Sequence, residues 1–304
     1  MSYNFSKIKV LLIGDFMVDN YIKGESFRNS PEAPVPILIP NSDLSIPGGA
    51  GNVAMNLSSL GAKVDCIGTV GDDKWGEVLI NKLELANVNC TKIKKIKDHQ
   101  TTLKQRFYIK NKQAFRLDKE KYHEYNFNIK QDYVDNFDVI IISDYNKGVI
   151  NKKIDFKSKL IIVDPKKDNF SIYRGAHIVT PNLNELRKSV NLDLKSDKSI
   201  ISACNELINK FDFKYIVAKK GDKGMIVVGR GSFSKTIDSH DVAHPDVTGA
   251  GDTVISCLAL SFAKSSNIKE SAELANYAAS ISVSKIGTAH VTINDLNNYI
   301  KRDD

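Results

Sequence analysis

Six short apolar runs recur along this chain, each long enough for a strand and too short for a helix. They occupy residues 10–15, 64–70, 139–144, 160–164, 177–180 and 215–218. A segment that is apolar at consecutive positions is buried on both faces, the condition of a central strand in a parallel sheet. Helix-like segments fall between most of them, at 50–60, 75–86, 182–189 and 198–210, and two more close the chain at 250–263 and 269–285. This alternation predicts an α/β fold, a doubly wound and mainly parallel sheet. The first run ends in Gly14 and Asp15, as expected of a strand whose C-terminal end opens onto a site.

Two stretches break the rhythm. Residues 21–39 and 91–118 are rich in alternating or β-branched residues without a helical period. They predict antiparallel strands inserted as a small β-sheet flap, a lid over the strand ends, within a single domain spanning 1–304. Exposed strands with one apolar face are poor monomer surfaces, so the flap also predicts a homodimer formed through it.

With 304 residues and 42% hydrophobic content the chain can bury a sizeable core. Its net charge of +7 suits anionic partners, but the lysines are scattered, and no zinc-finger spacing, RNP-like motif or helix-turn-helix pattern accompanies them. No nucleic-acid role is expected. Cys66, Cys90, Cys204 and Cys257 lie far apart without a C-x-x-C pair, which predicts reduced, mostly buried thiols. The N-terminus runs into the first strand without a signal-peptide apolar region, and no run reaches the roughly 18 apolar residues of a membrane span. The expectation is a soluble cytoplasmic protein with no membrane role.

The densest chemical signal lies at Asp246-Val247-Thr248-Gly249-Ala250-Gly251-Asp252-Thr253, just ahead of an apolar run. Small residues at Gly249, Ala250 and Gly251 let backbone N–H groups approach a ligand, and a helix starting there adds partial positive charge. Such a cradle suits phosphate. Asp252 in its first turn either complements the helix dipole or accepts a proton during phosphoryl transfer.

Together with Gly48-Gly49-Ala50-Gly51-Asn52 upstream and Asn182-Leu183-Asn184-Glu185 between, this segment resembles the paired glycine motifs and the N-x-x-E of the PfkB/ribokinase carbohydrate kinases. Within that family, residues 14–19, 28–36, 143–148 and 163–166 are similar to the D-glycero-β-D-manno-heptose-7-phosphate kinases. The resemblance implies a ribokinase-like fold and transfer of the ATP γ-phosphate to the anomeric C1 hydroxyl of D-glycero-D-manno-heptose 7-phosphate. The product would be the 1,7-bisphosphate, on the way to ADP-heptose and lipopolysaccharide cores. A kinase of another sugar or sugar phosphate, such as a fructose phosphate or ribose, and a non-catalytic sugar-phosphate sensor are the alternatives. Many members of that branch carry a nucleotidyltransferase domain after the kinase. This chain reaches Asp304 without an H-x-G-H element, so adenylyl transfer is expected of another chain.

The resemblance makes Asp252 the general base, with the amides of Gly249, Ala250 and Gly251 stabilising the phosphoryl group. It makes Asp15, Asp19, Gly48, Gly49 and Asn52 sugar ligands. A substrate that already carries phosphate needs cations, and Arg106, Arg116, Lys147 and Lys166, with Asp144 beside the third, are the candidates. Asn182 and Glu185 would organise Mg²⁺ through its water shell, although the same pair could simply cap a helix. For ATP, the resemblance points to Asn182, to Lys219, Gly221 and Gly224 in a Gly-x-x-Gly turn, and to Asn276 and Ala279 on the adenine side. The turn by itself is also an ordinary hairpin signal. Asp246 matches a position that binds a monovalent cation in some relatives, which leaves K⁺ activation open.

Overall fold

The computed structural model describes residues 3–303 except 111, 155, 158, 232, 244 and 286–289; of residues 302 and 303 only the backbone is described. In chain order the elements are β1 (Lys9–Gly14), β2 (Phe16–Glu25), β3 (Ile39–Gly49), α1 (Ala50–Ser59), β4 (Lys63–Gly71), α2 (Lys74–Leu85) and β5 (Asn89–Ile96). Then come β6 (Thr102–Ile109), β7 (Lys112–Lys119), α3 (Gln131–Val134), β8 (Val139–Ser143), β9 (Leu160–Asp164), β10 (Ile178–Val179), α4 (Leu183–Val190) and α5 (Asp197–Phe211). The chain continues with β11 (Tyr215–Lys219), β12 (Met225–Gly229), β13 (Phe233–Ile237), α6 (Ala250–Ser265), α7 (Ile268–Val283) and α8 (Ile293–Asp303).

Nine strands form one sheet in the order β13-β12-β11-β10-β9-β8-β1-β4-β5. It is parallel from β5 to β11, and only the hairpin strands β12 and β13 run antiparallel. Alternation along each strand divides the interior in two. Val10 and Leu12 face a core shared with Leu57 of α1, Leu79 of α2, Leu258 of α6, Ala275 of α7 and Leu296 of α8. Leu11 and Ile13 face the opposite core, closed by Leu186 of α4 and by Ala203 and Leu207 of α5. This is why the strands read as unbroken apolar runs: both sides are covered.

The second sheet has four strands in the order β3-β2-β6-β7. Only Asp15 separates β1 from β2, and β3 leads directly into α1, so the small sheet grows out of the C-terminal edge of the large one. Its membership differs from the sequence expectation. The first stretch contributes β2, which starts earlier, at Phe16, whereas the partner strand β3 runs from Ile39 to Gly49. Residues 91–96 lie in β5 of the main sheet instead. Nor is the small sheet wholly antiparallel, since β2 pairs with β6 in parallel.

Candidate active site

The C-terminal ends of β1, β8, β9 and β11 converge, and each delivers a charged residue: Asp15, Asp144, Asp164 and Lys219. Opposite them α6 begins at Gly249, whose φ of 79° places it in the left-handed region that glycine tolerates. Among the described residues no side chain caps this helix, and while the Ala250 N–H bonds the Val247 carbonyl at 3.3 Å, the N–H groups of Gly251 and Asp252 have no carbonyl one turn back within the helix to bond. Between the strand ends and this helix lies a cavity of about 370 Å³ whose walls include Asp144, Tyr145, Asp164, Lys166, Asn182, Glu185, Lys219, Gly249, Gly251 and Asp252.

Asp252 is buried, and both carboxylate oxygens are engaged. Asn52 Nδ2 donates to Oδ2 at 2.6 Å, and the Tyr145 hydroxyl donates to Oδ1 at 2.8 Å. Burial, and then the charge of Asp164, push its pKa up to about 6, against the pull of the Asn52 and Tyr145 hydrogen bonds and of Lys219. A carboxylate there is ionised at neutral pH yet basic enough to take a proton. The α1–α6 contact behind it is polar: Asn56 donates to the Asn52 carbonyl at 2.9 Å, and Thr253 donates to Asn56 Oδ1 at 3.2 Å.

Across the cavity, Lys219 Nζ lies 2.5 Å from Asp164 Oδ1, which also accepts from Thr180 Oγ1 at 2.9 Å. Burial lowers the lysine pKa, but Asp164, Glu185 and Asp252 around it outweigh burial and hold it above the usual lysine range. A Cβ on Gly251 would stand 3.3 Å from Lys219 Nζ, so the glycine leaves this cation free access to the cradle. Asn182 and Glu185 form a complete capping box on α4: Asn182 Oδ1 accepts from the Glu185 N–H at 2.9 Å and Glu185 Oε2 from the Asn182 N–H at 2.8 Å. Lys166 Nζ reaches Glu185 Oε1 at 3.2 Å. The capping role is therefore real, and the same two side chains also line the cavity.

The acidic end of β1 is used differently. Asp15 is buried and accepts from three backbone N–H groups, those of Tyr145 (2.8 Å), Lys147 (3.0 Å) and Val149 (3.1 Å). It fixes the loop after β8. Asp144 accepts from Tyr173 Oη and the Asn146 N–H, both at 2.6 Å, and burial with Asp15 nearby pushes it up to about 6.

On the small sheet, Asp19 pairs with Arg106 at 2.5 Å, and the guanidinium sits over the Tyr21 ring. Gly48 is required beside this pair, because a Cβ there would fall 2.1 Å from Asp19 Oδ2. Gly49, with φ 56°, makes the turn into α1. Arg116 binds Asp118 through two nitrogens, and Lys147 Nζ contacts Glu120 at 2.6 Å.

Several expected nucleotide residues stand off the cavity walls. Gly221 and Gly224 form the turn of the β11–β12 hairpin, where a Cβ on Gly224 would meet the Ile237 carbonyl at 2.1 Å. Asn276 is buried and donates to the Asp238 carbonyl at 2.8 Å, with Ala279 half-buried one turn on. Asp246 joins the α6 approach to α7 through its N–H to the Val283 carbonyl at 2.9 Å. Three residues outside the sequence-derived set emerge: Tyr145, Asp164 and Lys104. The first two sit within or beside the strand-end motifs at 143–148 and 163–166, a signal that was present; Lys104 resembled any other lysine.

The nine-strand sheet with its small companion is the ribokinase-like fold. Arabidopsis thaliana ribokinase, solved with ribose and ATP, matches with a TM-score of 0.78 at 17% identity over 99% of both chains. Escherichia coli phosphofructokinase-2, solved with potassium, matches at 0.79 and 20% identity over 98% of this chain and 99% of that one. Among curated proteins, the bifunctional protein HldE of Helicobacter acinonychis is 38% identical, covering 95% of this chain and 65% of that protein. HldE of Coxiella burnetii is 36% identical, covering 96% and 63%. The chain spans a little under two thirds of the length of these relatives. The model of the pfkB family of carbohydrate kinases matches residues 7–295. The chain belongs to that family, and with it to the ATP-dependent sugar kinases. No helix among the described residues is long and apolar enough to cross a membrane.

Proposed function

We propose that the protein transfers the γ-phosphate of ATP to the anomeric hydroxyl of D-glycero-D-manno-heptose 7-phosphate, giving the 1,7-bisphosphate that feeds ADP-heptose and lipopolysaccharide core synthesis. The observation that carries the chemistry is the buried Asp252 at the mouth of an uncapped helix. Asp252 takes the proton as the sugar oxygen attacks the γ-phosphorus, the bond to the ADP oxygen breaks, and the α6 amides from Gly249 to Asp252 receive the charge on the phosphoryl group. Lys219 and Lys166 line the same cavity and suit the ATP phosphates. The identity of the sugar is supported by the HldE relatives.

The oxygen donors of Asp164, Asn182 and Glu185 on one wall fit Mg²⁺ held largely through water and phosphate oxygens. That ion would neutralise charge on the transferring group. K⁺ at Asp246 belongs to the same proposal, as does a cytoplasmic location beside the ATP supply. Phe115 and Leu117, exposed on the small-sheet face opposite Asp19, support a homodimer through that sheet, which closes over the site as a lid. Light scattering that gives a monomer at micromolar concentration would refute the dimer.

The test of function is ATP-dependent phosphorylation of the heptose 7-phosphate, fructose 1-phosphate, fructose 6-phosphate and ribose, with Asp252→Asn beside wild type. The expected result is turnover of the heptose phosphate alone, lowered by about 10²-fold or more in Asp252→Asn. Preference for another sugar refutes the substrate, and no turnover of any refutes catalysis.

A further inference from the structure

The phosphate of a sugar phosphate is bound at least cost by a cation that no carboxylate already holds. The cations expected from the sequence are already occupied: Arg106 by Asp19, Arg116 by Asp118, Lys147 by Glu120 and Lys166 by Glu185. Lys104 differs. It has no hydrogen bond and no carboxylate within ion-pairing distance among the described residues, yet it is only half-exposed and lies on the site face of the small sheet.

The register explains how this arises. Lys104 on β6 stands directly between Asp19 on β2 and Asp118 on β7, and the next residues on that face are Tyr21, Arg106 and Arg116. The two arginines, one step along, claim both carboxylates. Lys104 instead extends over the ring of Tyr145, with Nζ 5.7 Å from its centroid, and the Tyr145 hydroxyl holds Asp252. Burial lowers the Lys104 pKa; Asp19 and Glu120 raise it, and Arg116 and Lys147 lower it again. A partly desolvated ammonium without a counter-ion is costly, and a phosphate dianion removes that cost on binding.

We infer that Lys104 is the residue that binds the phosphate already carried by the substrate, and that it thereby selects sugar phosphates over neutral sugars. This rests on the reading of the protein as a sugar-phosphate kinase. Arg106 then acts as a fixed strut for Asp19, and Lys104 faces the ligand between that carboxylate and the tyrosine at the base.

The experiment compares kcat/KM for the heptose 7-phosphate and for the same heptose without phosphate in wild type, Lys104→Met and Lys104→Arg, with calorimetric binding of both sugars as a second readout. Lys104→Met is expected to lose about 10- to 100-fold on the phosphorylated sugar and little on the neutral one, with Lys104→Arg recovering most of the loss. Equal loss on both sugars, or loss on neither, overturns the assignment while wild-type turnover of the sugar phosphate leaves the function intact. A wild type that prefers neutral sugars overturns both.

Discussion

Tyr145→Phe removes one hydroxyl and nothing else from the wall of the cavity, so its effect follows from a single contact. The hydroxyl donates to Asp252 Oδ1 at 2.8 Å and stabilises the ionised form of that carboxylate. A hydrogen bond to a charged group contributes about 1.5 to 3 kcal/mol, and a shift of one pH unit corresponds to about 1.4 kcal/mol. Loss of the donor therefore raises the Asp252 pKa from about 6 to about 7 or 8. The remaining groups around the carboxylate are unchanged: Asn52 still donates, Lys219 still attracts, and Asp164 still repels. Lys104 lies over the ring, and it stays when the hydroxyl goes. As the proposed base, Asp252 must be ionised to act, so activity is expected to fall as pH drops through its pKa, and the acid limb of kcat to move upward by the same amount. At pH 7 the variant should retain a minority of wild-type kcat, roughly a quarter if the midpoint reaches about 7.5. Near pH 9 the two enzymes should converge, with the ATP KM unchanged. Steady-state kinetics from pH 5 to 9 provide the check. A plateau that falls at all pH values without movement of the acid limb would refute the reasoning.

Gly48→Ala should raise the KM for the sugar and leave that for ATP alone, because the added methyl displaces Asp19 from Arg106; a specific loss on ATP contradicts this. Asp15→Ala strands three backbone N–H groups in the loop after β8 and should lower unfolding free energy by about 2 kcal/mol or more, read by urea titration. A loss below about 1 kcal/mol would mean that the loop does not depend on this carboxylate.

The large sheet was legible because burial on both faces leaves a composition signal that needs no context. The runs at 10–15, 139–144 and 160–164 became β1, β8 and β9 nearly residue for residue. β3 was not legible: Pro40, Asn41, Ser42 and Asp43 show no alternation of apolar residues, and the strand exists because β2 offers it a partner over ten positions. The parallel pairing of β2 with β6 is likewise a long-range choice that no local pattern encodes. At the site, the helix start that carries Gly249, Ala250, Gly251 and Asp252 was legible from small residues set just ahead of an apolar run. The role of Asp15 as a loop anchor was not, since a strand-end carboxylate reads the same whether it faces a ligand or three amides.

Lys104 and Asp252 share with Asp144 a physical property that sets them apart from their other neighbours. Most of the other charged side chains of the site are matched: Asp19 with Arg106, Asp164 with Lys219, Glu185 with Lys166, Asp15 with backbone amides. Asp252 and Lys104 carry charge that the folded protein opposes, a carboxylate whose proton affinity is raised by burial and an ammonium whose affinity is lowered by it. Both shifts make the folded state less stable at neutral pH than it would be with a neutral group in the same place. The raised pKa of Asp252 means that stability is lost as pH rises from about 4 to about 6; under the proposed function that expense is accounted for by a reaction that needs a base. The same logic applies to the role proposed for Lys104 on the small sheet, where an ammonium with no carboxylate partner among the described residues suits the proposed anionic substrate. Groups that bind or react are expected where folding alone would have chosen otherwise.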